Sequence, residues 1–229
     1  MRTIAWGVSL ALTLSFAVAT SASAAVVTLG SSNFADAPTG AGVATFDTQT
    51  ANSSGGTTSA GVFVDGPGTW SGTGIIAQGT TAGLYAAPAG DTTPYLAVID
   101  EPNRGPETLT LSAPATQLSL FWGSIDEYNI IQFFLGAAIL PFDVVTGAEI
   151  APANGDQSSA TTNRLVTITL ASLFDRVVFI SDGQNSFEFD NVSTNAVPIP
   201  AALPLFAGGV GLLGWLARRK RRAAEALPA

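Results

Sequence analysis

The chain has 229 residues with neither cysteine nor histidine, 11% charged residues and a formal net charge of −8. Those absences exclude disulfide staples, Ser-His-Asp and Cys-His catalysis and ordinary zinc sites. The folded part must be held by burial and sheet hydrogen bonds, with a bound ion as the available supplement.

Charge is unevenly distributed. Arg2 stands at one end, and Arg218, Arg219, Lys220, Arg221 and Arg222 stand near the other. Only Arg104, Arg164 and Arg176 remain to face sixteen acids between residues 25 and 196. A body this acidic repels nucleic acid and anionic lipid, favours solubility and can attract divalent cations.

In chain order, Met1-Arg2 is a short positive start, residues 4–19 are mostly apolar, and Ser21-Ala22-Ser23-Ala24 supplies small residues at the −3 and −1 positions. This predicts a signal peptide over 1–24, removed by signal peptidase after Ala24, with Ala25 as the new N-terminus. From 25 to 196 the chain reads as strand after strand. Thr108–Leu111, Gln117–Leu120 and Leu165–Leu170 alternate apolar and polar, whereas residues 129–135 are apolar on both faces. Residues 176–181, the turn Asp182-Gly183-Gln184-Asn185 and residues 186–193 read as a hairpin with Phe187 and Phe189 on one face. Turn clusters fall at 49–60, 66–68, 87–94, 101–106 and 151–162, and 52–60 reads as a mobile loop. The expected fold is all-β, a two-sheet antiparallel β-sandwich of jelly-roll type.

One stretch invites a functional reading: a strand ends at Trp122, and a loop then presents Asp126, Glu127 and Tyr128. As a ligand face, Trp122 or Tyr128 would stack on a sugar ring while the acids bind hydroxyls. In the structural alternative Trp122 packs in the core and the acids cap a turn. A glycosidase needs two carboxylates about 5–9.5 Å apart, whereas neighbours on a strand such as Asp126 and Glu127 point to opposite faces. Pairing either with Glu101, Glu107 or Glu188 depends on the fold. There is no glycosidase motif, so no catalytic residue is assigned. Asp182, Asn185, Asp190 and Asn191 could supply oxygens to calcium, but the same residue types are what a tight turn requires.

At the far end, Val197-Pro198-Ile199-Pro200-Ala201 leads into an uncharged run over 201–217. As a helix that run is about 25 Å long, near the lower limit for crossing a bilayer. The cations that follow, Arg218 to Arg222, act as a stop-transfer signal and keep 223–229 in the cytoplasm, so the domain faces outward. A plain single-pass anchor is one reading of this tail. The combination of a Pro-x-Pro motif, a short Gly-rich apolar segment and an Arg cluster also resembles the PEP-CTERM signal of exosortase-sorted proteins in Gram-negative bacteria. Residues 197–201 are similar to its VPLPA-CTERM variant, with Ile199 in place of Leu.

The resemblance covers about the last thirty residues. It implies inner-membrane anchoring, processing by an exosortase-type sorting enzyme near the proline motif, and delivery to the cell surface or extracellular matrix. The apolar tail would then be absent from the finished protein. The segments Trp122–Asn129 and Phe187–Val192 are similar to stretches of some exosortase-sorted surface proteins and imply placement rather than activity. The functional expectation is a non-enzymatic structural or adhesive surface protein. A module binding extracellular polysaccharide is the alternative, and a polysaccharide-active enzyme the third reading. No cofactor other than calcium is expected.

Overall fold

A computed structural model of the protein describes residues 24–102, 104–150 and 152–196. Residues 1–23 of the expected signal peptide lie outside that set, as do the whole of the expected sorting tail, 197–222, and the end 223–229. Among the described residues no helix is long and apolar enough to cross a membrane.

The described residues are all-β, as expected from the alternating pattern. Ten strands form: β1 (Val26–Leu29), β2 (Phe63–Asp65), β3 (Gly68–Gly72), β4 (Ile75–Ala77), β5 (Tyr95–Val98), β6 (Glu107–Gly123), β7 (Asn129–Phe134), β8 (Asp143–Thr146), β9 (Arg164–Ser181) and β10 (Phe187–Ala196). They belong to one antiparallel sheet whose main path runs β4-β5-β10-β6-β9-β7-β8, with β1 on β9 and the β2–β3 hairpin on β6.

Two strands, β6 and β9, are far longer than the rest and pair with each other along both halves. Glu107↔Phe179 to Thr110↔Arg176 form one ladder, and Gln117↔Thr169 to Trp122↔Arg164 form the other. Between the ladders each strand runs six residues with a single pairing, Ala115↔Phe174. The interruption is equal on the two strands, so register is regained while the core-facing phase changes on each. On β6 the buried set passes from Leu109 and Leu111 to Leu118, Leu120 and Trp122, and on β9 from Val166, Ile168 and Leu170 to Val177 and Phe179. A one-residue slip on one strand alone would turn half its apolar residues to water. Pro114 lies in the gap, where a missing N–H costs no ladder bond.

The long strands explain where the alternating pattern is misleading. Residues 108–111 and 117–120 belong to one strand, as do 165–170 and 176–181. The expected 176–193 hairpin does not form. The second half of β9 lies between β6 and β7, so β10 leaves it and pairs with β5 and with the second half of β6. The 52–60 loop is closed on Asn52, whose amide donates to the Thr58 and Ile76 carbonyls and accepts from Thr58 N–H.

The larger of two apolar clusters draws from both halves of β6 and β9, and a smaller one gathers Ile75, Tyr85, Tyr95 and Ile99 around β4 and β5. The aromatic centre of the larger cluster joins Trp70 to Phe46 and Phe179 at ring separations of 5.2 and 5.7 Å, and Phe179 to Phe189 at 4.4 Å. Trp70 is 0% exposed, so Trp70→Ala should cost about 3–5 kcal/mol by urea denaturation. Ile139→Ala, at a residue 94% exposed, should stay within about 0.5 kcal/mol of the parent. Equal effects of the two changes would contradict this packing.

Candidate functional site

The ends of β6 and β10 come together because Glu188↔Gly123 and Phe189↔Trp122 are paired. Three loops close around these ends: residues 83–86 between β4 and β5, residues 124–128 between β6 and β7, and residues 154–157 between β8 and β9. The result is a polar cleft of about 220 Å³. A cleft of about 460 Å³ between residues 49–60 and Ile76 is lined by no titratable side chain.

Asp126 and Tyr128 both line the smaller cleft, whereas Glu127 is exposed and does not line it. Trp122 is fully buried, stacks on Phe187 at 4.6 Å and donates its indole N–H to Asn129 Oδ1 at 3.2 Å. It therefore presents no face on which a sugar could stack. Asn129 also accepts from Asp126 N–H and donates to the Ser186 carbonyl, fixing the loop that carries Asp126 against the start of β10.

The loop over 154–155 approaches Asp126 so closely that only glycine fits. A Cβ on Gly155, at φ +64°, would meet Asp126 Oδ1 at 2.4 Å, and one on Gly147 would meet the Asp126 carbonyl. Tyr128 Oη lies 2.7 Å from Asp126 Oδ2 and 2.8 Å from the Asn185 carbonyl. The phenol has one proton for these two acceptors. The phenol therefore donates to the Asp126 carboxylate or to the Asn185 carbonyl, one at a time. Burial raises the pKa of Asp126 and of Tyr128.

Glu188, on the opposite face of β10 from Phe187 and Phe189, is the second carboxylate of the cleft. It accepts from Ala86 N–H at 2.7 Å, from Ser124 Oγ at 2.9 Å and from Ser186 Oγ. Burial still pushes its pKa up to about 7. Both its oxygens are engaged with protein donors, so it ties the 83–86 and 124–128 loops to the start of β10. The fold thus brings Asp126 to Glu188, whereas Glu101 and Glu107 do not line the cleft. Glu188 was hard to single out beforehand because Phe187-Glu188-Phe189-Asp190 reads as a strand with a wet face, yet both faces are buried.

The four expected calcium ligands separate. Asp182 is exposed at the turn. Asn185 accepts from Asp100 N–H and donates to Glu101 Oε1 at 3.0 Å. Asp190 and Asn191 are buried farther along β10. Among the described residues no three acids gather as a ready-made metal cluster.

Comparison of the chain with protein-family models, with curated proteins and with solved structures finds no match.

Glu107 provides a clean pH test away from the cleft. It is fully buried, accepts from Gly74 N–H at 2.9 Å through Oε2, and leaves Oε1 without a partner. Burial pushes its pKa up from 4.5 to about 7. A carboxyl raised on folding stabilises fully below its unfolded value and loses that contribution as pH rises through the folded one. The melting temperature should therefore fall from pH 5 to pH 8, and Glu107→Gln should reduce the fall. An identical fall in the variant would contradict this.

Proposed function

We propose that this chain is an exported, exosortase-sorted surface or matrix protein of a Gram-negative bacterium, built around one non-enzymatic, adhesive or structural β-sandwich. Signal peptidase removes 1–24, the Val197–Ala201 motif and the apolar run with its Arg218–Arg222 stop engage the membrane and the sorting enzyme, and the acidic domain is released outward.

The observation that carries this reading is how the strands fill the space between the two sequence signals. Strand β1 begins at Val26, one residue after the expected new N-terminus at Ala25, and β10 runs to Ala196, directly before the proline motif. The described strands fall between the two sequence signals and belong to one sheet. The sandwich reading is supported by ring contacts between Phe179 of β9 and Phe187 and Phe189 of β10, strands with no ladder between them among the described residues. Bending the β6–β9 ribbon at its interrupted middle would lay its two halves face to face in this way.

The test is fractionation of cells expressing the chain with and without residues 197–222, followed by intact-mass measurement of the surface form. The expected surface species begins at Ala25 and lacks residues 218–229. A surface form that still carries the basic tail would remove the sorting reading and leave a plain anchor.

A second reading is favoured by the cleft itself: a module that holds polysaccharide hydroxyls. Asp126, Asn154, Gln157 and Asn185 line a small polar concavity with Tyr128 at its edge, a donor and acceptor set suited to hydroxyls. Pull-down on the producing cell's own polysaccharide should capture the protein and fail for Asp126→Ala. No capture at high protein concentration would end this second reading.

A further inference from the structure

A second polar site, apart from the cleft, lies where the β4–β5 loop meets a bulge in β10. Asp190 pairs with Phe121 and Ser193 with Ser119, so Asn191 and Val192 together stand opposite one residue of β6. Asn191 takes φ +52°, the left-handed conformation that asparagine tolerates better than most residues, and bulges of this kind re-aim a side chain. The segment before β2 covers the bulge through paired hydrogen bonds between Ala44 and Val192.

Three side chains here share one unusual feature. Each is held by one polar end and leaves a buried oxygen with no hydrogen-bond partner. Asp91, 7% exposed, takes Thr93 N–H and Thr93 Oγ at 2.7 and 2.6 Å on Oδ1, and its Oδ2 has no partner. Asp190, 1% exposed, takes Asn191 N–H at 2.7 Å on Oδ1, and its Oδ2 is likewise bare. Asn191, 4% exposed, donates to the Pro38 carbonyl at 2.9 Å, which leaves its Oδ1 bare.

Leaving one buried polar oxygen unpaired costs about 1–3 kcal/mol. The turn over 34–38 brings the three residues into one region: a Cβ on Gly90, next to Asp91, would meet Phe34 Cβ at 3.3 Å, the Phe34 ring packs on Phe121 at 5.0 Å, Phe121 pairs with Asp190, and the Pro38 carbonyl accepts from Asn191. The surroundings add negative charge. Asp91, Asp47 and Asp65 all act on Asp190 through space, and Asp47 acts on Asp91. Among the described residues the arginines have hydrogen bonds elsewhere. Arg104 donates to the Thr73 carbonyl, Arg164 to the Gly30 carbonyl and Arg176 to the Ala138 carbonyl, and the single lysine of the chain is Lys220.

We propose that Asp91, Asp190 and Asn191 hold a calcium ion, which clamps the β4–β5 loop onto the β10 bulge. The donors are all oxygens in a chain without histidine or cysteine, which selects a hard cation. Calcium accepts 6–8 oxygens at flexible geometry, so main-chain carbonyls and water complete the shell around three side-chain donors. This set shares Asp190 and Asn191 with the one expected from sequence but replaces Asp182 and Asn185 by Asp91, which lies about a hundred residues earlier in the chain. The inference stands apart from the export reading, because it can be tested on purified protein wherever the cell places it.

The experiment is thermal unfolding and calorimetric titration of the full chain in detergent, after EDTA treatment, with calcium chloride as the probe. One calcium is expected per chain, and the melting temperature should rise by roughly 5–10 °C at calcium a hundredfold above Kd. Asp91→Asn and Asp190→Asn should each abolish most of that rise, while Asp182→Asn should leave it intact. Should either buried variant fail to fold, Asn191→Asp, which adds a charged oxygen, should enlarge the calcium-dependent rise. A melting temperature unmoved by millimolar calcium overturns the proposal, as does a rise of equal size in Asp91→Asn or an unchanged rise in Asn191→Asp.

Discussion

The paired strands β6 and β9 are the constraint on which the remainder depends. Each contributes residues to both ladders of the ribbon, and every other strand attaches to it directly or through at most two neighbours. Chain geometry makes this demanding. The two interruptions must match in length, or the apolar phase on one side of the gap would face water. They match, and the change of phase occurs on both strands at the same level. In a chain without cysteine, this ladder and the aromatic centre around Trp70, Phe179 and Phe189 take the role that disulfides serve in many small secreted domains.

Outside the ladder, asparagine side chains do much of the joining. Asn52, Asn129, Asn163 and Asn185 each use both ends of the amide, accepting from one segment while donating to another. An amide does this without the desolvation cost of a charge, which suits a fold so poor in cations. Buried acids are therefore conspicuous. Burial pushes Glu107 and Glu188 up to about 7 and Asp190 up to about 9. Glu188 is offset by three donors, whereas Asp190 is left with a bare oxygen beside other acids.

Much of the strand content was legible, because Thr108–Leu111 and Leu165–Leu170 alternate as half-buried strands must. The length of β6 and β9 was not. Both interruptions look like turns in sequence, with Pro114 in one and exposed residues 171–173 in the other. The β10 partner was missed for a topological reason: an Asp-Gly turn promises a hairpin, but the edge of β9 was already taken by β7. Asp126 and Tyr128 were found through their place after a strand end. Asp91 carried no signal, since a loop residue beside Pro88 and Pro94 resembles any turn acid until the fold buries it next to the Gly90–Phe34 contact with one oxygen unpartnered.

The proposed role follows from an acidic, cysteine-free β domain placed between a leader pattern and a sorting pattern. Under that proposal the domain would face outward, where its net negative charge would keep copies apart. The most direct measurement is digestion of intact cells with an added protease, followed by blotting for the domain. The account predicts cleavage of the domain while a cytoplasmic marker survives. A domain untouched until the cells are lysed would contradict it.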